Sequence, residues 1–276
     1  MNRSSMPIAL VASWVLTGAA AGCSSPLDEA AGSSNDPLVD GMDSLRTGEG
    51  VVGLLTQVVD GRSSGLCTGT LIADRVVLTA AHCVVDAKTR SVGATVVFDG
   101  TTYAKNTWQD MVAASRAMVH PAYDVSAPLD ESGDSLKGDL ALLILPAAAP
   151  ARIRRVPLAA GDDAEQYPAG TAVRLAGYGV TAYLGSGGGT KRSGNAPIDA
   201  YRKGLIALAK SPGATSACSG DSGGPIRART ADAPILGVAS FVANSGSSGA
   251  ALCQADSYYV RVSAYRSFID PVVNAN

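Results

Sequence analysis

Histidine is almost absent from this chain: its 276 residues include only 2, His82 and His120. Two isolated imidazoles give no ligand cluster of usable spacing, which disfavours a metal-dependent hydrolase; no metal and no cofactor are expected. Charge is sparse too, at 17% of residues, and nearly cancels to a formal net charge of -2. That balance gives no reason to expect nucleic acid as a partner. No run of roughly 18 or more apolar residues lies in the body of the chain, so no spanning helix is expected there. Cysteines number 5, an odd count, so at least one stands outside any set of intramolecular pairs.

What the sequence does have is a core. Hydrophobic residues make up 46% of it, and the length suits one large all-β domain or two smaller ones. Val51–Leu55, Thr70–Ile72, Arg75–Thr79, Ala94–Phe98, Leu140–Leu145, Ala172–Ala176, Ile235–Phe241 and Tyr258–Val262 are short apolar runs separated by Gly, Asp and Pro. Their length and breaks favour strands over helices. Many short strands between turns favour barrels or sandwiches over alternating strand–helix units. One helix is expected over Ser263–Ile269, capped by Ser263 and ended near Pro271. The Ala/Pro segment Pro146–Pro150 divides the body into residues 38–150 and 151–276. Tyr183–Asn195, dominated by Gly and Ser, is expected as a surface loop.

The beginning of the chain has the form of an export signal over residues 1–22: Arg3 is basic, and Met6–Ala21 is apolar with small residues at its end. Ala20-Ala21-Gly22-Cys23 is similar to a bacterial lipoprotein processing site, with Cys23 as the lipid anchor, although Ala20 stands where leucine is usual. Ordinary cleavage near Ala21 is the alternative. Residues 23–37 are expected as a flexible tether. The protein is therefore expected outside the cytoplasm, secreted or held at a membrane through Cys23. In such a compartment disulfides persist. Setting Cys23 aside leaves Cys67, Cys83, Cys218 and Cys253, which allow three pairings; the sequence does not choose among them.

The chemistry centres on Gly220-Asp221-Ser222-Gly223-Gly224-Pro225, a serine between glycines, where a hydroxyl can be exposed and backbone N–H groups can converge on one oxygen. A serine hydroxyl is a weak nucleophile until a base takes its proton. His82, in Thr79-Ala80-Ala81-His82-Cys83, is the better base because the adjacent cysteine can clamp its backbone. His120, before Pro121, is expected to end a strand and pack locally. Asp139 opens a buried run, where a desolvated acid needs a partner, which suits a residue that orients an imidazole. A strand-capping aspartate is the plainer alternative. The hexapeptide also satisfies the G-x-S-x-G elbow of α/β-hydrolases. That fold takes its histidine after the serine, whereas both histidines here precede Ser222.

Together, Thr79–Cys83, Asp139–Leu143, Gly177-Tyr178-Gly179 and Gly220–Pro225, in this order, resemble the trypsin/chymotrypsin-like serine protease family from about Leu38 to Val262. The resemblance implies an all-β fold: two antiparallel six-stranded β-barrels, an active site in the cleft between them, and a short C-terminal helix. It implies Ser222 as nucleophile, His82 as general base, Asp139 as the acid orienting His82, and the backbone N–H groups of Gly220 and Ser222 as oxyanion hole. It also implies the disulfides Cys67–Cys83 and Cys218–Cys253.

Specificity follows from the same resemblance. Ser216, six residues before the nucleophile, stands at the base of the primary pocket, where an acid would select Lys or Arg. Ser240, Val242 and Ser257 line its walls. Family members that accept large residues carry glycine at the last two positions, so Val242 should narrow the pocket toward small aliphatic residues. Leu38-Val39-Asp40-Gly41 resembles the mature N-terminus, whose amino group would pair with Asp221; an internal partner for Asp221 is the alternative. The expected partners are protein or peptide substrates, and a monomer is expected. The rival in another class is a catalytically inactive, protease-like binding protein. A Ca²⁺ loop at Asp130–Asp134 is a further reading, an acidic solvated loop the commoner one.

Overall fold

The apolar runs assemble into two curled antiparallel sheets. The computed structural model describes residues 50–59, 62–85, 93–98, 111–126, 138–181, 187–230, 232–243 and 253–276; the export segment, Cys23, the tether, Leu38 and Asp130–Asp134 lie outside the described residues. The first sheet holds β1 (Val51–Val59), β2 (Arg62–Ala73), β3 (Val76–Thr79), β4 (Ala94–Val97), β5 (Met111–Ala113), β6 (Arg116–Val119) and β7 (Ala141–Ile144), in the order β5-β4-β1-β2-β3-β7-β6. The second holds β8 (Ala172–Gly177), β9 (Arg192–Pro197), β10 (Ala200–Tyr201), β11 (Leu205–Leu208), β12 (Pro225–Ala228), β13 (Ile235–Val242) and β14 (Ser257–Arg261), in the order β10-β11-β14-β13-β12-β8-β9.

The two end strands of each sheet are neighbours in sequence. β5 runs into β6 across Ala114 and Ser115, and β9 into β10 across Ile198 and Asp199. Each such pair is one bent strand shared by both ends of its sheet. Counted that way, the 7 strands of each sheet become the six expected per barrel, and the exposed edges largely vanish.

The central strands are apolar on both faces. β3 pairs with β7 through Val77↔Leu143 and Leu78↔Leu142, and all four side chains are fully buried. The same cluster continues into the second sheet through Val238, Tyr258 and Val260, so the halves share one packed core. Among the described residues no helix is long and apolar enough to cross a membrane.

Three local expectations shift. The loop expected over Tyr183–Asn195 gives way to β9 at Arg192, where Gly177↔Arg192 through Arg174↔Asn195 are paired and Ser193 is buried. A waiting partner strand overrides the Gly/Ser composition. Helices are few: α1 (Ala81–Val84) and α2 (Asp163–Gln166) are single turns, and α3 runs Arg266–Asn274 after a 3-10 turn at Val262–Tyr265. Ser263 caps neither helical segment, because its hydroxyl donates to Asp163 Oδ2 at 3.0 Å. Pro271 lies inside α3 rather than ending it; the carbonyl it leaves without a partner belongs to exposed Ser267.

Asp163 ties α2 to the end of β14. Its carboxylate is 1% exposed and takes Arg261 Nε at 2.9 Å, a second bond from Nη2, and the Ser263 hydroxyl. Arg261 in turn lies 5.1 Å over the Tyr201 ring. Replacing Arg261 with Ala leaves that carboxylate buried without its cation, an expected loss of about 3–5 kcal/mol. Chemical denaturation against the parent chain measures it, and a loss below about 1 kcal/mol would contradict the assignment.

Candidate active site

Strand register brings His82 to Asp139. β3 and β7 pair with Thr79 opposite Ala141, so the residues just after one strand and just before the other meet at the same end. α1 then turns the His82 backbone toward the acid. Its N–H donates to Asp139 Oδ1 at 2.9 Å, and its Nδ1 lies 2.9 Å from Oδ2. Asp139 is 2% exposed and receives a third donor, Ser240 Oγ at 2.5 Å, from β13 of the other sheet. With Nδ1–H given to the acid, Nε2 keeps its lone pair.

Burial alone would lower the His82 pKa, but the charge of Asp139 and its hydrogen bond outweigh it, and the imidazole stands above the usual 6.5. Burial alone would raise Asp139; the His82 charge and the bonds from His82 and Ser240 win, and it stands below 3.8. The two shifts agree, since each describes the same paired charge.

The serine loop docks on the strands that carry His82. The Ser222 carbonyl accepts the Thr68 N–H at 2.8 Å. Cys83 Sγ touches both His82 Nε2, at 3.8 Å, and the Ser222 carbonyl oxygen, at 3.5 Å. That sulfur is bonded to Cys67 and carries no proton, so these are packing contacts, with Cys83 between the imidazole and the Ser222 backbone; no hydrogen bond joins the Ser222 hydroxyl to His82 among the described residues. Gly223 has φ +83, and a Cβ there would stand 2.1 Å from Thr79 Oγ1. Both expected disulfides form, with Cα separations of 6.1 Å for Cys67–Cys83 and 4.7 Å for Cys218–Cys253. Closing a loop the size of the first stabilises by about 3 kcal/mol in the chain-entropy account.

Two backbone donors in this loop are left unspent. The Ser219 carbonyl accepts Val180 N–H at 2.9 Å, and the Asp221 carbonyl accepts Gly224 N–H at 2.9 Å. In a trans peptide the N–H points opposite the carbonyl. The N–H groups of Gly220 and Ser222 therefore turn away from these contacts, and neither donates a hydrogen bond among the described residues.

Asp221 lies beneath them, 2% exposed, accepting Gly179 N–H and Cys218 N–H at 2.8 Å each. Gly177 and Gly179 are glycines because the carboxyl fills the space between them: an added Cβ would come within 2.2 Å and 2.5 Å of it. Burial pushes the Asp221 pKa up to about 7, against the two N–H groups and the charge of Arg192.

The expected pocket residues gather nearby. Ser216 and Ser257 are buried, and Ser257 Oγ accepts the Ala217 N–H at 3.0 Å, bridging two of the segments expected to wall the pocket. Val242 pairs directly with Ser257 between β13 and β14. Ser240 belongs to the Asp139 carboxylate, a role that the residue pattern did not signal. His120 stands apart from His82: it follows β6 and packs edge-on against Tyr265 and Phe268, with ring centroids 5.1 Å and 5.0 Å away.

The Trypsin family model matches residues 53–269. Trypsin of Saccharopolyspora erythraea is 28% identical over 221 residues, covering 76% of this chain and 87% of that protein. Chymotrypsin-like elastase family member 1 of Macaca fascicularis is also 28% identical, with 76% and 79% covered. The match spans only 35% of Serine protease 56 of Homo sapiens, at 26% identity over 76% of this chain. Among solved structures, human heparin binding protein superposes with a TM-score of 0.63 at 24% identity, covering 84% of this chain and 94% of that one. HL collagenase does so with a TM-score of 0.64 at 20% identity, covering 85% and 96%. The chain belongs to the trypsin family, and its fold is that of the trypsin/chymotrypsin-like serine proteases.

With only two histidines, imidazole titration by NMR gives two curves. The expected midpoints lie above 6.5 for His82 and, because burial disfavours its charged form, below 6.5 for His120. Asp139→Asn should bring the higher midpoint down and leave the lower unchanged. Two coincident curves would contradict the His82–Asp139 pairing.

Proposed function

We propose that this chain is a serine endopeptidase that cleaves peptide bonds through an acyl-enzyme. The observation that carries the reading is the Asp139–His82 pair, with Cys83 packed against both His82 Nε2 and the Ser222 carbonyl and two unspent N–H groups in the serine loop. Ser222 Oγ attacks the substrate carbonyl while His82 Nε2 takes its proton. The oxyanion forms against the N–H groups of Gly220 and Ser222; one such donor is worth about 2.7–4 kcal/mol in the transition state. His82 then gives its proton to the leaving amine, and Asp139 stabilises the imidazolium in between. Water reverses the sequence and frees Ser222.

Ser257 and Val242 favour small aliphatic residues at the cleaved position. Val242 and Ser257 face each other across β13 and β14, and buried Ser216 offers no charge to Lys or Arg. Export, with Cys23 as a lipid anchor or with simple secretion, rests on the N-terminal sequence. For Asp221, a carboxyl held up near 7 is one that a new amino group at Leu38 would relieve; Arg192 is the internal cation whose charge already acts on it. N-terminal sequencing of active material separates the two, since a start other than Leu38 rules out the first.

A protease-like binding protein is the second reading, supported by the shared fold with heparin binding protein. The intact His82–Asp139 pair and the open donors favour the catalyst.

Digestion of a peptide library, beside Ser222→Ala, tests the reading. The parent should cleave after Ala or Val, and the variant should lose about 10⁴-fold or more of the rate. Equal activity in both would overturn the nucleophile; strong cleavage after Arg or Phe would overturn the pocket alone. The rate should fall as pH drops through a midpoint above 6.5, because protonated His82 cannot accept the serine proton.

A further inference from the structure

Thr68 of β2 is fully buried, yet every polar atom it has is engaged at the site. Its N–H donates to the Ser222 carbonyl at 2.8 Å, and its carbonyl accepts the Thr79 hydroxyl at 2.8 Å. Its hydroxyl accepts the Tyr178 N–H at 3.0 Å and lies 2.9 Å from the Gly220 carbonyl oxygen. A hydroxyl has one proton. With Tyr178 occupying the acceptor side, that proton goes to Gly220.

Gly220 is one of two glycines of the loop with a positive φ, the other being Gly223. Its φ is +99, a conformation only glycine adopts readily, and an added Cβ would stand 2.9 Å from Gly179 Cα. Without a side chain, nothing in the residue itself fixes the rotation of its two flanking peptides. The peptide before it is held through the Ser219 carbonyl by Val180 N–H. The peptide after it is held at its carbonyl by the Thr68 hydroxyl and at its N–H, that of Asp221, by the Cys218 carbonyl at 3.0 Å. The Thr68 and Val180 pins descend from one short turn, since Tyr178 holds the Thr68 hydroxyl and Val180 holds Ser219.

We propose that Thr68 is a positioning residue for the oxyanion hole: its hydroxyl, which accepts the Tyr178 N–H and donates to the Gly220 carbonyl, holds the peptide after Gly220, so that this glycine, whose preceding peptide is held by Val180, keeps the backbone conformation in which its N–H faces the developing oxyanion. The assignment rests on reading Gly220 and Ser222 as the oxyanion donors. Thr68 touches no substrate atom; it acts through the backbone of Gly220.

Three variants test it: Thr68→Val, which keeps the shape and removes the donor; Thr68→Ala, a second hydroxyl-free variant should the first fail to fold; and Thr68→Ser, which restores the hydroxyl. Active-site titration counts competent molecules, so a folding loss is not read as a rate loss. A misaimed donor should cost less than a deleted one, so kcat for a peptide substrate should fall about 10- to 100-fold in the hydroxyl-free variants. KM should stay within about twofold and the Ser variant within about threefold of the parent. Affinity for a peptide aldehyde, which presents a tetrahedral oxyanion, should fall in parallel with kcat, and affinity for the cleaved product peptide should not. Unchanged kcat in a folded hydroxyl-free variant overturns the proposal. So does an equal loss in Ser and Val, or equal weakening of aldehyde and product. A parent chain without peptide hydrolysis or labelling at Ser222 would instead overturn the endopeptidase reading on which the proposal stands.

Discussion

Asp139 carries a charge in a place almost sealed from water, and neither sheet alone satisfies it. The turn α1, which follows β3 of the first sheet, supplies both N–H groups of His82, and β13 of the second supplies the Ser240 hydroxyl. A buried carboxylate that loses its donors costs several kcal/mol, so this residue penalises any slip of one sheet against the other. The shared apolar core sets the sheets together without direction. The carboxylate adds direction, because its three donors must arrive from fixed angles. The orientation of the imidazole, and through it the free Nε2, follows from that constraint.

A second buried acid in the same cleft behaves in the opposite way. Asp221 is as deeply buried as Asp139, but its direct donors are neutral backbone amides, and its pKa rises to about 7 where that of Asp139 falls. The difference lies in the partner. An imidazole that becomes cationic stabilises the Asp139 charge, whereas two N–H groups and the field of Arg192 leave burial dominant at Asp221. One carboxylate orients an imidazole. The other acts as a post around which the loop from Cys218 to Gly224 and the turn from Gly177 to Gly179 are wound.

The candidate site residues stood out because each sits in a short segment whose composition is locally unusual: an acid opening an apolar run, a histidine beside a cysteine, a serine among glycines. The central strands were legible because β3 and β7 are apolar on both faces. What stayed hidden depends on distant partners. β9 is a strand because β8 waits beside it, although Ser193 and Gly194 suggest a loop. Ser263 fails as a helix cap because Asp163, 100 positions away, competes for its hydroxyl. Ser240 stood in the pocket by resemblance, and nothing local marks it as a donor to Asp139. The glycines at 177 and 179 were visible as a motif, but their reason, the carboxyl of Asp221 between them, exists only in the folded chain.

The central claim is that Asp139 and His82 together make Ser222 a nucleophile. Labelling with a fluorophosphonate tests it most directly, with the adduct mapped by mass spectrometry and the rate compared between the parent chain and Asp139→Asn. The expected result is a single adduct on Ser222, formed about 10³- to 10⁴-fold more slowly in the variant. Absence of an adduct, an adduct elsewhere, or equal rates in the two proteins would contradict it.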